Sequence, residues 1–223
     1  MFTGTTLFII AYFAVLFCYF ITETSGKMSL RAPNKIILAS MFFIYAIVQF
    51  QHYDYFSYHL VLMAALFLAW LGDVFLLFSL NRGGDFFLCG NVCFVTYQMA
   101  VMYDNGYSFK NFAWVLPTLV VIMLGFVYLA QKYPNILKLG DMKWPMVLYL
   151  SSISFNGLMG ITLMTHLGGT HYFVMGLGIL LFWISDIIIT ILHFVVDGNK
   201  WCLRLNSAFY FTGLLLIVLS MGM

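Results

Sequence analysis

Eight times along its 223 residues the chain stays apolar for about the length a helix needs to cross a bilayer core of roughly 30 Å, at 4–21, 34–50, 58–80, 86–103, 111–130, 144–165, 171–196 and 203–222. Strands of a membrane barrel would instead alternate in polarity over about ten residues at a time, and these runs are continuously apolar. The expected fold is therefore an all-α integral membrane protein of eight transmembrane helices, forming one domain over residues 1–223. Charged residues make up only 8% of the chain and mean hydropathy is +0.98, so lipid is the solvent it suits. The longest connections, 22–33 and 131–143, hold about a dozen residues each, too few for a soluble domain. The first run lacks the basic lead and small-residue cleavage site of a secretory signal and is expected to stay as a permanent helix.

The ten Lys and Arg residues orient the bundle. Lys27, Arg31, Lys35, Arg82, Lys132, Lys138, Lys143, Lys200 and Arg204 lie in or beside connections one, three, five and seven, and Lys110 alone falls in an even one. The positive-inside rule then puts the odd connections in the cytoplasm and both termini on the far side. A net charge of +2 with no basic patch gives no reason to expect nucleic acid as a partner. Cys89 and Cys93 stand four apart on one span with no histidine near them in that span, so they are expected to be core thiols.

Glu23, Asp54, Asp85, Asp104, Asp141 and Asp197 fall in connections, which leaves two acids inside spans, Asp73 and Asp186. A charge at mid-bilayer costs roughly 2.5–3.5 kcal/mol even on lenient scales, so each marks a functional site by default. Asp73 stands 15 residues past Tyr58 and Asp186 15 past His171, in two spans that run the same way, which gives the carboxylates similar depth. Their surroundings share the pattern W-[LI]-[GS]-D-[VI], Trp70 to Val74 against Trp183 to Ile187. The third and seventh spans so matched suit a parallel 4+4 internal repeat, as in some transporter folds. Gly72 and Ser185, just before each Asp, are expected to let these two helices approach closely in the bundle centre.

The polar residues of the spans gather toward the cytoplasmic end, among them Lys35, Asn91, Tyr149, Ser152, Asn156, Thr190 and Tyr210. Tyr149, Ser152 and Asn156 are spaced by three and four, hence on one helix face, and Asp186, Thr190 and His193 form a similar line. The expectation is a polar pocket opening inward with the Asp pair at its floor. Two carboxylates in a dry site do not readily both ionise, which leaves one acid beside one carboxylate. That pairing suits cleavage through a protonated, oxocarbenium-like species, one group giving a proton while the other holds positive charge or activates water. Lys35 begins at the cytoplasmic interface, where it can snorkel to meet a lipid phosphate.

These residues resemble the lysoplasmalogenase (YhhN-type) family of membrane hydrolases. The likeness runs through APNKIILAS, LGDVFLL, FFLCGNVCFVTY, VLYLSSIS, GILLFWISDIII and the final NSAFYFTGLLLI. It implies hydrolysis of the vinyl-ether bond of a lysoplasmalogen to a fatty aldehyde and a glycerophospho-headgroup. By that resemblance Asp73 and Asp186 carry the reaction, the substrate is a membrane lysophospholipid, water is the co-substrate, and neither a metal nor a cofactor takes part. The chain departs from the family pattern at Asn91 and Phe94, where a His and a Tyr are expected, at Ile36 in place of a Pro, and at Gly213 in place of a Gln.

A proton-coupled transporter with an intramembrane carboxylate pair is the alternative, disfavoured by an outer half poor in polar groups. An intramembrane aspartyl protease would carry a G-x-G-D motif, which is absent. A zinc amidase would need several inward histidines, and of His52, His59, His166, His171 and His193 only the last is on that side.

Overall fold

A computed structural model describes residues 4–25, 27–52, 57–135, 137, 139–195 and 199–223, without the side chain of Asp141; Asp54, Lys138 and Asp197, counted above among the connection charges, lie outside the described residues. The described residues form an all-helical bundle with eight helices long and apolar enough to cross a membrane, as a multi-pass membrane protein requires. They are α1 (Gly4–Glu23), α2 (Met28–Phe50), α3 (His59–Leu76), α4 (Leu80–Asp104), α6 (Val115–Lys132), α7 (Lys143–His166), α8 (Thr170–Phe194) and α9 (Lys200–Ser220), with the one-turn α5 (Phe109–Phe112) leading into α6 within a single span.

Several helices outrun their apolar stretches. The second begins at Met28 and the fourth at Leu80, each six residues before the apolar run itself, so the connections are tighter than hydropathy suggests. Glu23, Asp85 and Asp104, expected in connections, belong to helices, the first to α1 and the other two to α4. Side chains start two of these helices: Ser79 Oγ accepts from the Arg82 amide at 3.5 Å ahead of α4, and Asn199 Oδ1 accepts from the Trp201 and Cys202 amides at 2.9 and 3.2 Å ahead of α9. The turn into α8 needs Gly169, whose φ of +123° an L side chain rarely adopts.

The outer faces carry bare apolar side chains such as Phe17, Val121 and Leu124, as lipid contact demands, while α4, α7, α8 and α9 bury the most surface. The two Asp-bearing helices are not packing partners: α3 packs on α2 and α4, and α8 on α7 and α9. Gly72, expected to bring α3 against its counterpart, makes room for the Phe87 ring of α4. Ser185 is buried with its hydroxyl donating to the Phe182 carbonyl of its own helix at 2.7 Å.

One close approach is between α8 and α9. A Cβ on Gly213 would stand 2.7 Å from the Gly178 carbonyl oxygen and 2.9 Å from the Phe182 nitrogen, both backbone atoms that no rotamer change can move. The Gln that the family pattern leads one to expect at this position has no room. Gly213→Ala is expected to cost about 1–3 kcal/mol through forced separation of the helices, read as a lower Tm of the purified protein in detergent; an unchanged Tm would refute the close approach.

Candidate active site

A cavity of about 580 Å³ opens at the end of the bundle where connections one, three, five and seven lie, lined there by the tips of α1, α2, α3, α4, α7, α8 and α9. Its volume is that of a small-molecule site. Asp73 from α3 and Asp186 from α8 both line it, 2% and 6% exposed.

Each carboxylate is held differently. Asp73 Oδ1 pairs with Lys35 Nζ at 3.1 Å, and its Oδ2 accepts from Tyr210 Oη of α9 at 2.7 Å. Asp186 Oδ2 accepts from Tyr149 Oη of α7 at 2.5 Å. Among the described residues Lys35–Asp73 is the one ion pair, so no cation touches Asp186. Lys35 therefore does not snorkel outward with a free ammonium as the sequence suggested; it is 6% exposed and its charge is spent on Asp73.

Around the two acids the frames correspond. Trp70, three residues before Asp73, donates its indole N–H to Ser40 Oγ of α2 at 3.1 Å, and Lys35 stands five residues before that serine. Trp183, three before Asp186, donates to Ser154 Oγ of α7 at 3.3 Å, and Tyr149 stands five residues before that one. Lys35 and Tyr149 thus occupy equivalent seats, each facing its aspartate from the helix ahead of it. This local correspondence fits the W-[LI]-[GS]-D-[VI] match; a repeat of the whole bundle is a further step that it does not establish.

Of the remaining sequence candidates, Thr190 and Tyr210 line the cavity, Thr190 with its hydroxyl donating to the Asp186 carbonyl oxygen at 2.8 Å. Three others sit elsewhere. Asn156 donates to Asn91 Oδ1 at 3.1 Å and accepts from Gln98 Nε2 at 2.6 Å, a buried amide cluster joining α7 to α4. Ser152 turns back on the Tyr149 carbonyl at 2.7 Å. None of the three is among the cavity's lining residues. The physical reason is that α7 packs on α4, α6 and α8 at once, so residues sharing its face with Tyr149 meet different neighbours along its length.

The sequence reading missed the wall that adjoins the Asp73 pair, one helical turn from Lys35 on α2 and from Tyr210 on α9. Glu23, Arg31, Tyr19 and Ser207 line the cavity, with Ser207 Oγ donating to Glu23 Oε1 at 2.5 Å. The signal available was Glu23 two residues past the first apolar run, with a basic residue eight positions on.

The arrangement can hold one carboxylate charged against an ammonium and present a second that is free to carry a proton, both buried in the wall of one pocket. Lysine, tyrosine and aspartate are the chemistry on offer; no group of three or more His, Cys, Asp and Glu able to hold a metal occurs among the described residues. The YhhN family model matches residues 30–221, which takes in both aspartates and all of their hydrogen-bonding partners. No curated protein and no solved structure matches the chain.

Proposed function

The chain belongs to the YhhN family, and together with the cavity this leads us to propose that it is a membrane hydrolase cleaving the vinyl-ether bond of lysoplasmalogens with water. The observation that carries the reading is the pair of buried carboxylates in one cavity, one ion-paired and one not. Asp186, with a phenol for company and no cation, is the acid: its proton goes to the β-carbon of the vinyl ether, and the electron pair of the double bond forms the new C–H bond. The ether carbon is left as an oxocarbenium ion. Asp73, kept ionised by Lys35 and Tyr210, stands as the anion that stabilises it and takes the proton of the incoming water. Water adds to the ether carbon to give a hemiacetal; as its C–O bond to glycerol breaks, the proton taken up by Asp73 passes to the glycerol oxygen and the hemiacetal hydroxyl proton passes to Asp186, which releases fatty aldehyde and the glycerophospho-headgroup and restores both acids.

Support for the substrate class also comes from the lining. Apolar Leu76, Phe87, Leu88 and Phe211 suit an acyl-like chain, while Arg31 at the mouth suits a phosphate. With the odd connections cytoplasmic, as the positive-inside rule has it, the cavity opens to the cytoplasm and both termini lie on the other side.

The test is incubation of the purified protein with a lysoplasmalogen and with its saturated-ether analogue. Aldehyde is expected from the vinyl ether alone, because only a double bond can accept the proton that begins the reaction. Aldehyde from neither, with uptake into liposomes driven by a pH gradient, would favour the proton-coupled carrier instead.

A further inference from the structure

The cavity that holds both acids is small beside a membrane lipid. Its volume of about 580 Å³ is that of a site for a drug-sized compound, whereas a lipid's hydrocarbon chain spans one leaflet, roughly 15 Å or half of the bilayer core. A vinyl ether stands between chain and glycerol, so a lipid seated with that bond at the acids has most of a chain left over. The side of the bundle offers it a way out.

Of the side chains lining the cavity, the exposed ones are Leu80, Asn81 and Asp85 of α4, Pro145 and Leu148 of α7, and His193 at the tip of α8. The cavity wall is thus incomplete where α4 faces α7. Both helices start at the cavity end, and they are knit together further in, where Asn156 donates to Asn91 and accepts from Gln98. Seven residues, about two turns, before those asparagines stand Gly84 and Tyr149, and both line the cavity. A Cβ on Gly84 would meet nothing within 4 Å. A gap remains there, with Gly84 on one side and Leu148, 58% exposed, on the other. The neighbouring α6 packs on α7 and lines none of the cavity among the described residues.

The gap lies at the depth of lipid. Trp144, exposed and with Lys143 Nζ 5.4 Å from its ring centre, has the character of a residue at the membrane surface, and Leu148 is one turn deeper. On α4 the cavity lining continues to Leu88, inside the fourth apolar run. An opening bordered by leucines at that depth suits hydrocarbon.

We propose that the gap between α4 and α7 is a lateral slot in which the alkyl chain of the bound lipid lies, running from the acids out into the leaflet on the cavity's side. This rests on the lysoplasmalogen reading and adds the route: the substrate reaches its acids sideways, without leaving the membrane. The order of atoms agrees with it. The carbon that takes the proton is the one that bears the chain, and Tyr149, which holds Asp186, stands at the inner end of the slot.

Gly84→Leu fills the slot from a position where the new side chain meets open space, so the fold is expected to hold. Saturated alkyl-ether lysophospholipids, which cannot be cleaved, are titrated onto the full chain in detergent micelles with either a hexadecyl or a butyl chain. Each lipid's affinity for the variant is divided by its affinity for the wild type, which cancels its own partition into micelles. The hexadecyl lipid is expected to lose at least about tenfold and the butyl lipid, short enough to stay inside the cavity, less than about twofold. Equal losses, or none for either lipid, would overturn the slot. Should the variant not fold, the wild type carries the test: a hexadecyl lysophospholipid with a diazirine at mid-chain is photolysed, and the labelling that excess unlabelled lipid suppresses is mapped. Label is expected on residues 80–88 and 144–149, and label confined to other helices refutes the route. Selective loss of the hexadecyl lipid without aldehyde from a lysoplasmalogen would sink the hydrolase and leave the slot standing, whereas aldehyde release with equal losses would do the reverse.

Discussion

Asp73→Asn and Asp186→Asn should each lower aldehyde release from a lysoplasmalogen by at least about a hundredfold, the lower end of what a positioned acid or base contributes. Asparagine keeps the volume and can still accept from Tyr210 or Tyr149, so the packing that those tyrosines provide is preserved. What it removes is the proton at Asp186 and the negative charge at Asp73. The measurement is kcat with saturating substrate, alongside the melting temperature of each variant. A folded variant retaining near wild-type turnover would end the assignment for that residue. Because the active form needs one carboxyl protonated and its neighbour ionised, kcat/KM of the wild type should also fall away at both acid and alkaline extremes.

Lys35→Met should produce a large loss of stability. It strands the Asp73 carboxylate in a buried site, and removing one member of a buried pair costs about 3–5 kcal/mol. The double change Lys35→Met with Asp73→Asn should recover most of that loss, since neither charge then remains to be compensated. Thermal unfolding of the four proteins in one detergent completes the cycle. If the single variant is as stable as the wild type, Asp73 is not held as an anion by Lys35, and the division of labour between the two acids fails with it.

How much of this could be read beforehand depends on what hydropathy encodes. Eight continuous apolar runs leave a chain little choice but eight helices, and a lone acid inside such a run announces itself, so Asp73 and Asp186 were plain. Hydropathy marks where lipid begins, though, and not where a helix does. Glu23 looked like a loop residue because the apolar run ends two residues before it, whereas the connection between α1 and α2 spans only residues 24–27. Helical spacing correctly grouped Tyr149, Ser152 and Asn156 on one face but carries no information on the neighbour that each meets. One went to Asp186, one to its own backbone, and one to Asn91 and Gln98. The Lys35–Asp73 pair spans two helices, and partner choice across helices is settled by packing. The same holds for Gly72, a small residue rightly marked as a point of close approach, whose neighbour is Phe87.

The matched frames around the two aspartates have a consequence for how a ligand settles. Were both seats filled alike, the two carboxylates would meet a guest with much the same company from the helix ahead of each. One seat is a lysine and the other a tyrosine, and Asp73 alone has Tyr210 as a second donor. The two acids are thereby made unlike, and a guest lying between them meets a different partner at each end.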